Sequence, residues 1–282
     1  MKKYEAFVKT VEMGSFTKAA DAMNYSQSGI SKMINELEKE WGISLLERDR
    51  GGIRLTAEGQ TMLPLAKKLL EEYRRMQTAV SELNGLQAGI IRIGTFSSVA
   101  THWLPGIIKK FRADYPSIDY EILLGDYTEI NGWLAEGRVD CGFLPHSMAE
   151  GLECIPIASD RLLVVLPEGH PLAEREKFPI AALCDEPFML LKQGKTSEVS
   201  EFLEANGLYP DISFTTLDDY AIMSMVESGL GISILPELIL KRNPYRIVAM
   251  EPDVPATREI CFVLRDLATA PLAVRRFQMY LK

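Results

Sequence analysis

No run of eighteen apolar residues occurs in the 282-residue sequence, and its first fourteen residues, MKKYEAFVKTVEMG, are interrupted by charge throughout. A membrane-spanning helix needs about twenty consecutive apolar residues, and a secretory leader needs an apolar centre. Both are excluded, so the expected location is the cytoplasm, with no membrane partner. Cysteine and histidine are scarce. Cys141, Cys154, Cys184 and Cys261 form no C-x-x-C pair, and His102, His146 and His170 are scattered among them. That spacing is not a metal-ligand pattern, and the cysteines are expected to be buried, reduced thiols. Basic charge is also short: 31 Lys+Arg stand against 39 Asp+Glu, a formal net charge of -8. The chain as a whole is therefore not one that coats nucleic acid by bulk attraction.

The deficit is uneven. Residues 1–89 carry thirteen Lys+Arg and twelve Asp+Glu, whereas residues 90–282 carry eighteen and twenty-seven. If the chain meets DNA, it meets it through its N-terminal third. Hydrophobic residues at 47% and charged residues at 25% are ordinary for a globular chain with a sizeable core. The length suggests two or three folding units.

The first forty-odd residues read as three short helices. Tyr4, Phe7, Val8 and Val11 recur at helical spacing before Gly14. Ser15 is placed to cap a second helix with Phe16, Ala19, Ala20 and Met23 as its apolar positions. After the turn "NYS", Ser26 is placed to cap a third helix running to about Trp41. At about 100° per residue, Ile30, Met33, Ile34, Leu37 and Trp41 share one side of that helix. Gln27, Ser28, Ser31, Lys32 and Asn35 share the other. Amide, hydroxyl and ammonium groups are those that pair with base edges and phosphates. Their place behind an Ala-rich helix and a tight turn is what helix-turn-helix geometry requires. "SLLERDRGGIRLT" then offers strand-like segments around a Gly-Gly turn flanked by arginines, suited to a hairpin wing on a phosphate backbone.

From Thr56 a long helix is expected to about Leu83, with Pro64 marking a kink or a late start. Met62, Ala66, Leu69, Tyr73, Met76, Val80 and Leu83 recur in 4-3-4-3-4-3 steps, a heptad seam that predicts helix pairing between subunits. "NGLQAG" at 84–89 reads as a hinge. From Ile90 the pattern changes to alternation: "IIRIGTF", "IDYEILLG" and "VDCGFLP" are strands separated by helices, and "PFMLLK", "ISFTT" and "GISILP" repeat the order. Alternation of this kind predicts parallel sheets with helices on both faces, in two lobes. Ligands of such folds bind beyond the carboxyl ends of strands, near helix N-termini.

With these segments in view, "GSFTKAADAMNYSQSGISKMINELEKEWGISLLERDRGGIRLTAEG" resembles the winged helix-turn-helix of LysR-type transcriptional regulators. "IRIGTF", "HWLPGIIKKFRADYP", "LPEGHPLA" and "VESGLGISILPE" resemble the family's effector domain, so the resemblance covers essentially the whole chain. It implies an α/β protein with an N-terminal winged helix-turn-helix, a long dimerisation helix and a two-lobed periplasmic-binding-protein-like effector domain. The expected boundaries are 1–58, 59–89 and 90–282, with lobe I about 90–161 and 266–282 and lobe II about 162–265. The implied partners are double-stranded DNA carrying an interrupted palindrome, a small-molecule effector, further copies of the chain as a homodimer and usually a tetramer, and RNA polymerase. No cofactor beyond the effector is expected. Toward DNA the resemblance implicates Gln27, Ser28 and Lys32, with Arg48, Arg50 and Arg54 from the wing, and the polar side and start of the third helix add Ser31, Asn35 and Ser26 as candidates. Lys32 stands where the family often has arginine, and an ammonium cannot fork onto guanine as a guanidinium does. Glu36, Glu38 and Glu40 on the same helix are expected to weaken non-specific affinity.

The cleft between lobes is the expected effector site. Thr95, Phe96, Ser97 and Ser98 follow the first strand of the domain, Thr128 heads its second helix, and Thr196 and Ser197 start a helix in the other lobe. Hydroxyls and free N–H groups there suit an anion such as a carboxylate. His146, after the third strand, is a further candidate with possible pH sensitivity. "GKTS" at 194–197 is not a phosphate-binding loop, since Met189 stands where the motif needs glycine. "GLG" at 229–231 lacks a dinucleotide fingerprint, and no catalytic constellation is found, so an enzyme is not expected. The rival reading is a two-lobed solute-binding or metabolic protein whose N-terminal helices serve assembly. The polar stripe on the third helix argues against it, and affinity for duplex DNA separates the two.

Overall fold

The structure is a computed structural model that describes residues 1–49, 52–83 and 89–281. Arg50, most of the expected hinge at 84–89, and the side chains of Arg48 and Leu83 lie outside the described residues. Two compact units are present, Met1–Val80 and Ser81–Lys282.

In the first unit three helices, α1 (Lys2–Met13), α2 (Phe16–Met23) and α3 (Gln27–Trp41), precede a hairpin of β1 (Leu46–Asp49) and β2 (Gly52–Leu55) and a long helix α4 (Ala57–Leu83). The caps fall where hydroxyls and left-handed residues permit. Ser15 accepts from the Lys18 N–H and Ser26 from the Gly29 N–H, while Gly14, Asn24 and Gly42 end the three helices in the left-handed conformation. Ile30, Ile34 and Leu37 of α3 are buried with Ala6, Phe7, Ala19, Ala20 and Leu45, and Met33 and Trp41 pack at the margin. The wing pairs antiparallel in a register that sets Leu46 against Leu55 and Asp49 against Gly52.

Helix α4 is continuous through Pro64, so proline neither delays its start nor ends it. The heptad seam divides. Ala66 is buried and Met62 packs beside it against the first three helices, together with Leu70, which lies off the seam. Leu69, Met76 and Val80 are exposed, Leu65 with them. The first part of the seam therefore belongs to the unit's own core, while Leu65, Leu69, Met76 and Val80 leave an apolar stripe exposed along the same helix.

The second unit holds one continuous sheet. Its strands are β3 (Gly89–Thr95), β4 (Ile118–Leu124), β5 (Cys141–Pro145), β6 (Glu153–Pro167), β7 (Phe188–Leu191), β8 (Ile212–Thr216), β9 (Ile232–Pro236), β10 (Ile247–Met250) and β11 (Thr257–Leu264). The order is β4-β3-β5-β11-β6-β9-β7-β8, with β10 on β6. Strands β4, β3 and β5 are parallel, as are β9, β7 and β8. Between these triplets run β6 and β11, antiparallel to each other and to their neighbours. The expected all-parallel lobes are thus corrected, because the chain crosses between lobes as strands that run against their neighbours. The return to lobe I also comes earlier than residue 266. Strand β11 pairs with β5, and Ile260–Leu264 fill lobe I's core with Ile91, Phe111, Phe143 and Phe277.

The covering helices are α5 (Ser97–His102), α6 (Leu104–Asp114), α7 (Tyr127–Ala135), α8 (Glu198–Ala205), α9 (Asp219–Glu227), α10 (Glu237–Leu240) and α11 (Leu272–Phe277). Lobe II has two smaller cores, one around Val164, Phe178 and Phe188, the other around Val165, Met189 and Ile222. The helices following β3, β4 and β7 start beside the crossing strands, which brings their first residues together from both lobes. No helix among the described residues is long and apolar enough to cross a membrane.

Candidate functional site

Two surfaces carry chemistry, one on each unit. On the first, Ser26, Gln27, Ser28, Lys32 and Asn35 are exposed along α3, Ser31 is half-buried, and Arg54 is exposed on the wing. Ser26 Oγ caps the helix and lies 3.0 Å from Ser28 Oγ. The acidic residues of α3 are engaged elsewhere. Glu38 Oε1 accepts the Leu45 and Leu46 N–H groups at 2.7 and 3.2 Å, fixing the entry to the wing. Lys3 lies 3.4 Å from both Glu36 and Glu40. The carboxylates thus tie α3 to its own unit, which leaves the amide, hydroxyl and ammonium face as its outward chemistry.

On the second unit the centre is Arg258 of β11, 2% exposed at its side chain. Its Nε and Nη2 donate to Asp160 Oδ2 at 3.0 and 2.8 Å, the residue directly opposite on β6. Nη2 also donates to Ser98 Oγ at 2.8 Å. Nη1 donates to Tyr127 Oη and to Glu198 Oε1, each at 3.0 Å. Tyr127 in turn donates to Glu198 Oε1 at 2.8 Å. The Phe96 ring lies under the guanidinium, 5.0 Å from its centroid, an arrangement that favours a desolvated cation. One arginine on a crossing strand therefore joins α5 and α7 of lobe I to α8 of lobe II.

The electrostatics follow from burial. Burial opposes the Arg258 charge, but Tyr127, Glu198 and Asp160 outweigh it and hold the guanidinium firmly protonated. Burial, and then Glu198, push the Tyr127 hydroxyl well above its ordinary value, so it stays a neutral donor. Asp219 at the start of α9 is raised chiefly by burial, with a Ser97 hydrogen bond and Arg258 pulling the other way. Glu198 Oε2 is buried and, among the described residues, has no hydrogen-bond partner.

The expected effector residues divide around this centre. Phe96 and Ser98 touch Arg258, and Ser97 touches Asp219. Thr95 is fully buried, its hydroxyl directed at the Phe96 carbonyl. Ser197 is buried as the cap of α8. Also between the lobes, Thr128 Oγ1 accepts the Lys195 N–H at 3.3 Å, and Thr196 Oγ1 lies 3.4 Å from the Met148 sulfur. His146 stands apart from the group, beside Cys154 and Cys261. Sequence reasoning missed Tyr127, Asp160, Glu198, Asp219 and Arg258. The available signal was an adjacent pair of opposite charges in each apolar crossing strand, Asp160-Arg161 in "SDRLLVV" and Arg258-Glu259 in "TREICFVL".

The cysteines also differ from expectation. Cys154 and Cys261, 107 residues apart, form a disulfide with Cα atoms 5.5 Å apart, because the adjacent antiparallel strands β6 and β11 carry them. Cys141 is buried and free, as expected, while Cys184 is free but exposed. The histidine and cysteines that looked scattered include a cluster, with ligating atoms of His146, Cys154 and Cys261 within 4.8 Å of one another.

A winged helix-turn-helix joined to a two-lobed α/β domain defines a transcription regulator that couples DNA binding to a sensing domain. The family model for bacterial regulatory helix-turn-helix proteins of the lysR family matches residues 1–60, and that for the LysR substrate binding domain matches residues 84–282. The chain belongs to the LysR family of transcriptional regulators. It is similar to YvbU, an uncharacterized HTH-type transcriptional regulator of Bacillus subtilis (31% identity over 276 residues, 97% of this chain and 94% of that protein). It is also similar to LrrA, a probable HTH-type transcriptional regulator of Synechococcus elongatus (34% over 252 residues, 89% and 85%). The crystal structure of full-length CbnR in complex with its target DNA has a TM-score of 0.72 at 22% identity, covering 99% of this chain and 98% of that one. At that identity the likeness is one of fold.

Proposed function

We propose that this chain reads an interrupted palindromic operator as a dimer, or a pair of dimers, and that a small molecule entering between the lobes of the second unit changes how the paired DNA-binding units are placed. It works in the cytoplasm, contacts RNA polymerase at the promoter, and carries no cofactor and no catalysis of its own. The carrying observation is the Arg258 network, which draws groups from α5, α7 and α8 onto the two crossing strands. An effector shifts an equilibrium only by its differential affinity for two arrangements. A molecule that exchanges with Glu198 on Arg258, or supplies a donor to Glu198 Oε2, has that differential affinity built in, because these contacts hold the lobes together.

The sequence leaves the effector open between a small carboxylate and other polar metabolites, and the arrangement favours the latter. The guanidinium already faces two carboxylates, Asp160 and Glu198, so a carboxylate effector has to displace Glu198. An effector carrying an amine, amide or hydroxyl donor meets an acceptor in place. A thermal-shift screen of small amines, hydroxy acids and carboxylates against the purified protein tests this. Stabilisation by a donor-bearing compound that is lost in Glu198→Gln supports the reading. Equal stabilisation of both proteins would contradict it.

A further inference from the structure

We propose that Cys154, Cys261 and His146 form a reversible thiol–disulfide site on the crossing strands, taking small-molecule disulfides as oxidants and small thiols as reductants. The geometry is that of an exchange site in three respects. Cys154 is half-buried at the start of β6, where a small reagent reaches it, and Cys261 is buried beside it on β11. Nδ1 of the exposed His146 lies 3.2 Å from Cys154 Sγ and 3.7 Å from Cys261 Sγ. An imidazole at that distance is placed to take the proton of either thiol, and the thiolate is the form that attacks a disulfide. A regulator that works where the DNA is meets a reducing milieu, and disulfides found there are usually transient or redox-sensing.

The chemistry balances as two exchanges. His146 takes the Cys154 proton, and the thiolate attacks one sulfur of a small disulfide. A mixed disulfide forms, the reagent's S–S bond breaks, and one thiolate leaves with a proton. Deprotonated by the same imidazole, Cys261 then attacks the Cys154 sulfur and expels the second thiolate. The protein's two thiols are oxidised by two electrons, and one small disulfide is reduced to two thiols.

The consequence is set by register. The ladder between β6 and β11 slips between Ile260 and Cys261, with Ile260 opposite Ala158 and Cys261 opposite Pro156. The disulfide ties the strands on one side of that slip, and the Arg258–Asp160 pair, which gathers both lobes, lies on the other. Oxidation therefore adds a covalent tie to the strands that carry the lobe-joining network.

The test equilibrates the native full-length protein in mixtures of reduced and oxidised glutathione, traps free thiols by alkylation, and maps them by peptide mass spectrometry. Cys154 and Cys261 are expected to lose and regain alkylation together, in one two-electron transition within that range. Cys154→Ser and Cys261→Ser should each abolish the paired change. His146→Gln should slow oxidation of the reduced protein at neutral pH by roughly tenfold through the lost proton acceptor. A pair that stays bonded in the most reducing mixture would overturn the proposal in favour of a structural cross-link, and a pair that never bonds would overturn it too. So would stoichiometric uptake of zinc by the reduced protein that blocks both oxidation and alkylation, which would make the cluster a metal site.

Discussion

At the scale of single residues, Arg258 decides how firmly the two lobes of the second unit are held together. A buried cation with two carboxylates, a phenol and a hydroxyl around it is costly to interrupt, because each partner left behind is buried and unpaired. Arg258→Met should lower unfolding free energy by about 3–5 kcal/mol, read as a lower urea midpoint, and a change below 1 kcal/mol would mean that the network holds little. Asp219 supplies a pH signature. Its folded pKa is raised, chiefly by burial, so the native state holds that proton more tightly than the unfolded chain does. The associated stability is full below the ordinary aspartate range and is lost as pH rises through the raised value. Asp219→Asn should remove that declining component from a stability–pH curve, and curves of the same shape for both proteins would assign it elsewhere. These residues were the hardest to read in advance. Arg258 meets Ser98, Tyr127, Asp160 and Glu198 from 60 to 160 positions away in the sequence, and no spacing rule links residues that only sheet topology brings together. The hydroxyls of "TFSS" were found because a strand followed by a helix marks its own junction.

At the scale of elements, local physics was strong enough to be read directly. The three helices of the first unit follow from capping hydroxyls, left-handed terminal residues and an apolar face at helical spacing, and α3 starts one residue after its capping Ser26. Gly59 shows how tightly the elements then meet. A Cβ at that position would stand 2.1 Å from the Leu45 carbonyl oxygen, where α4 begins against the start of the wing. Backbone cannot yield as a side-chain tip does. Gly59→Ala should therefore cost at least the upper end of the roughly 1–3 kcal/mol typical of overpacking, seen as an earlier thermal transition of the first unit. An unchanged transition would mean that the helix and wing can part. The seam on α4 was only half legible, because periodicity marks apolar positions without saying which partner covers them. Ala66 is covered by its own unit; Leu69 and Met76 are not.

At the scale of the whole molecule, the acidic balance and the helix-turn-helix belong to different units, and the antiparallel crossings were hidden because strand direction leaves no mark on composition. The exposed Leu65, Leu69, Met76 and Val80 offer a stripe long enough to pair two α4 helices. Leu69→Glu with Met76→Glu should leave a 31.6 kDa monomer in sedimentation, and an unaltered dimer would move the pairing surface elsewhere. Ser97→Ala should weaken an effector response and leave DNA affinity intact, since the hydroxyl and α3 lie on separate units. The most direct test of a regulator that reads DNA through α3 is fluorescence anisotropy with the duplex just upstream of its own gene, titrated with salt and compared with a scrambled duplex. Preferential binding is expected, with a logarithmic salt slope of several phosphates, and Lys32→Ala should weaken it by about tenfold while lowering that slope by roughly one. Equal affinity for both duplexes, unchanged by Lys32→Ala, would contradict the account.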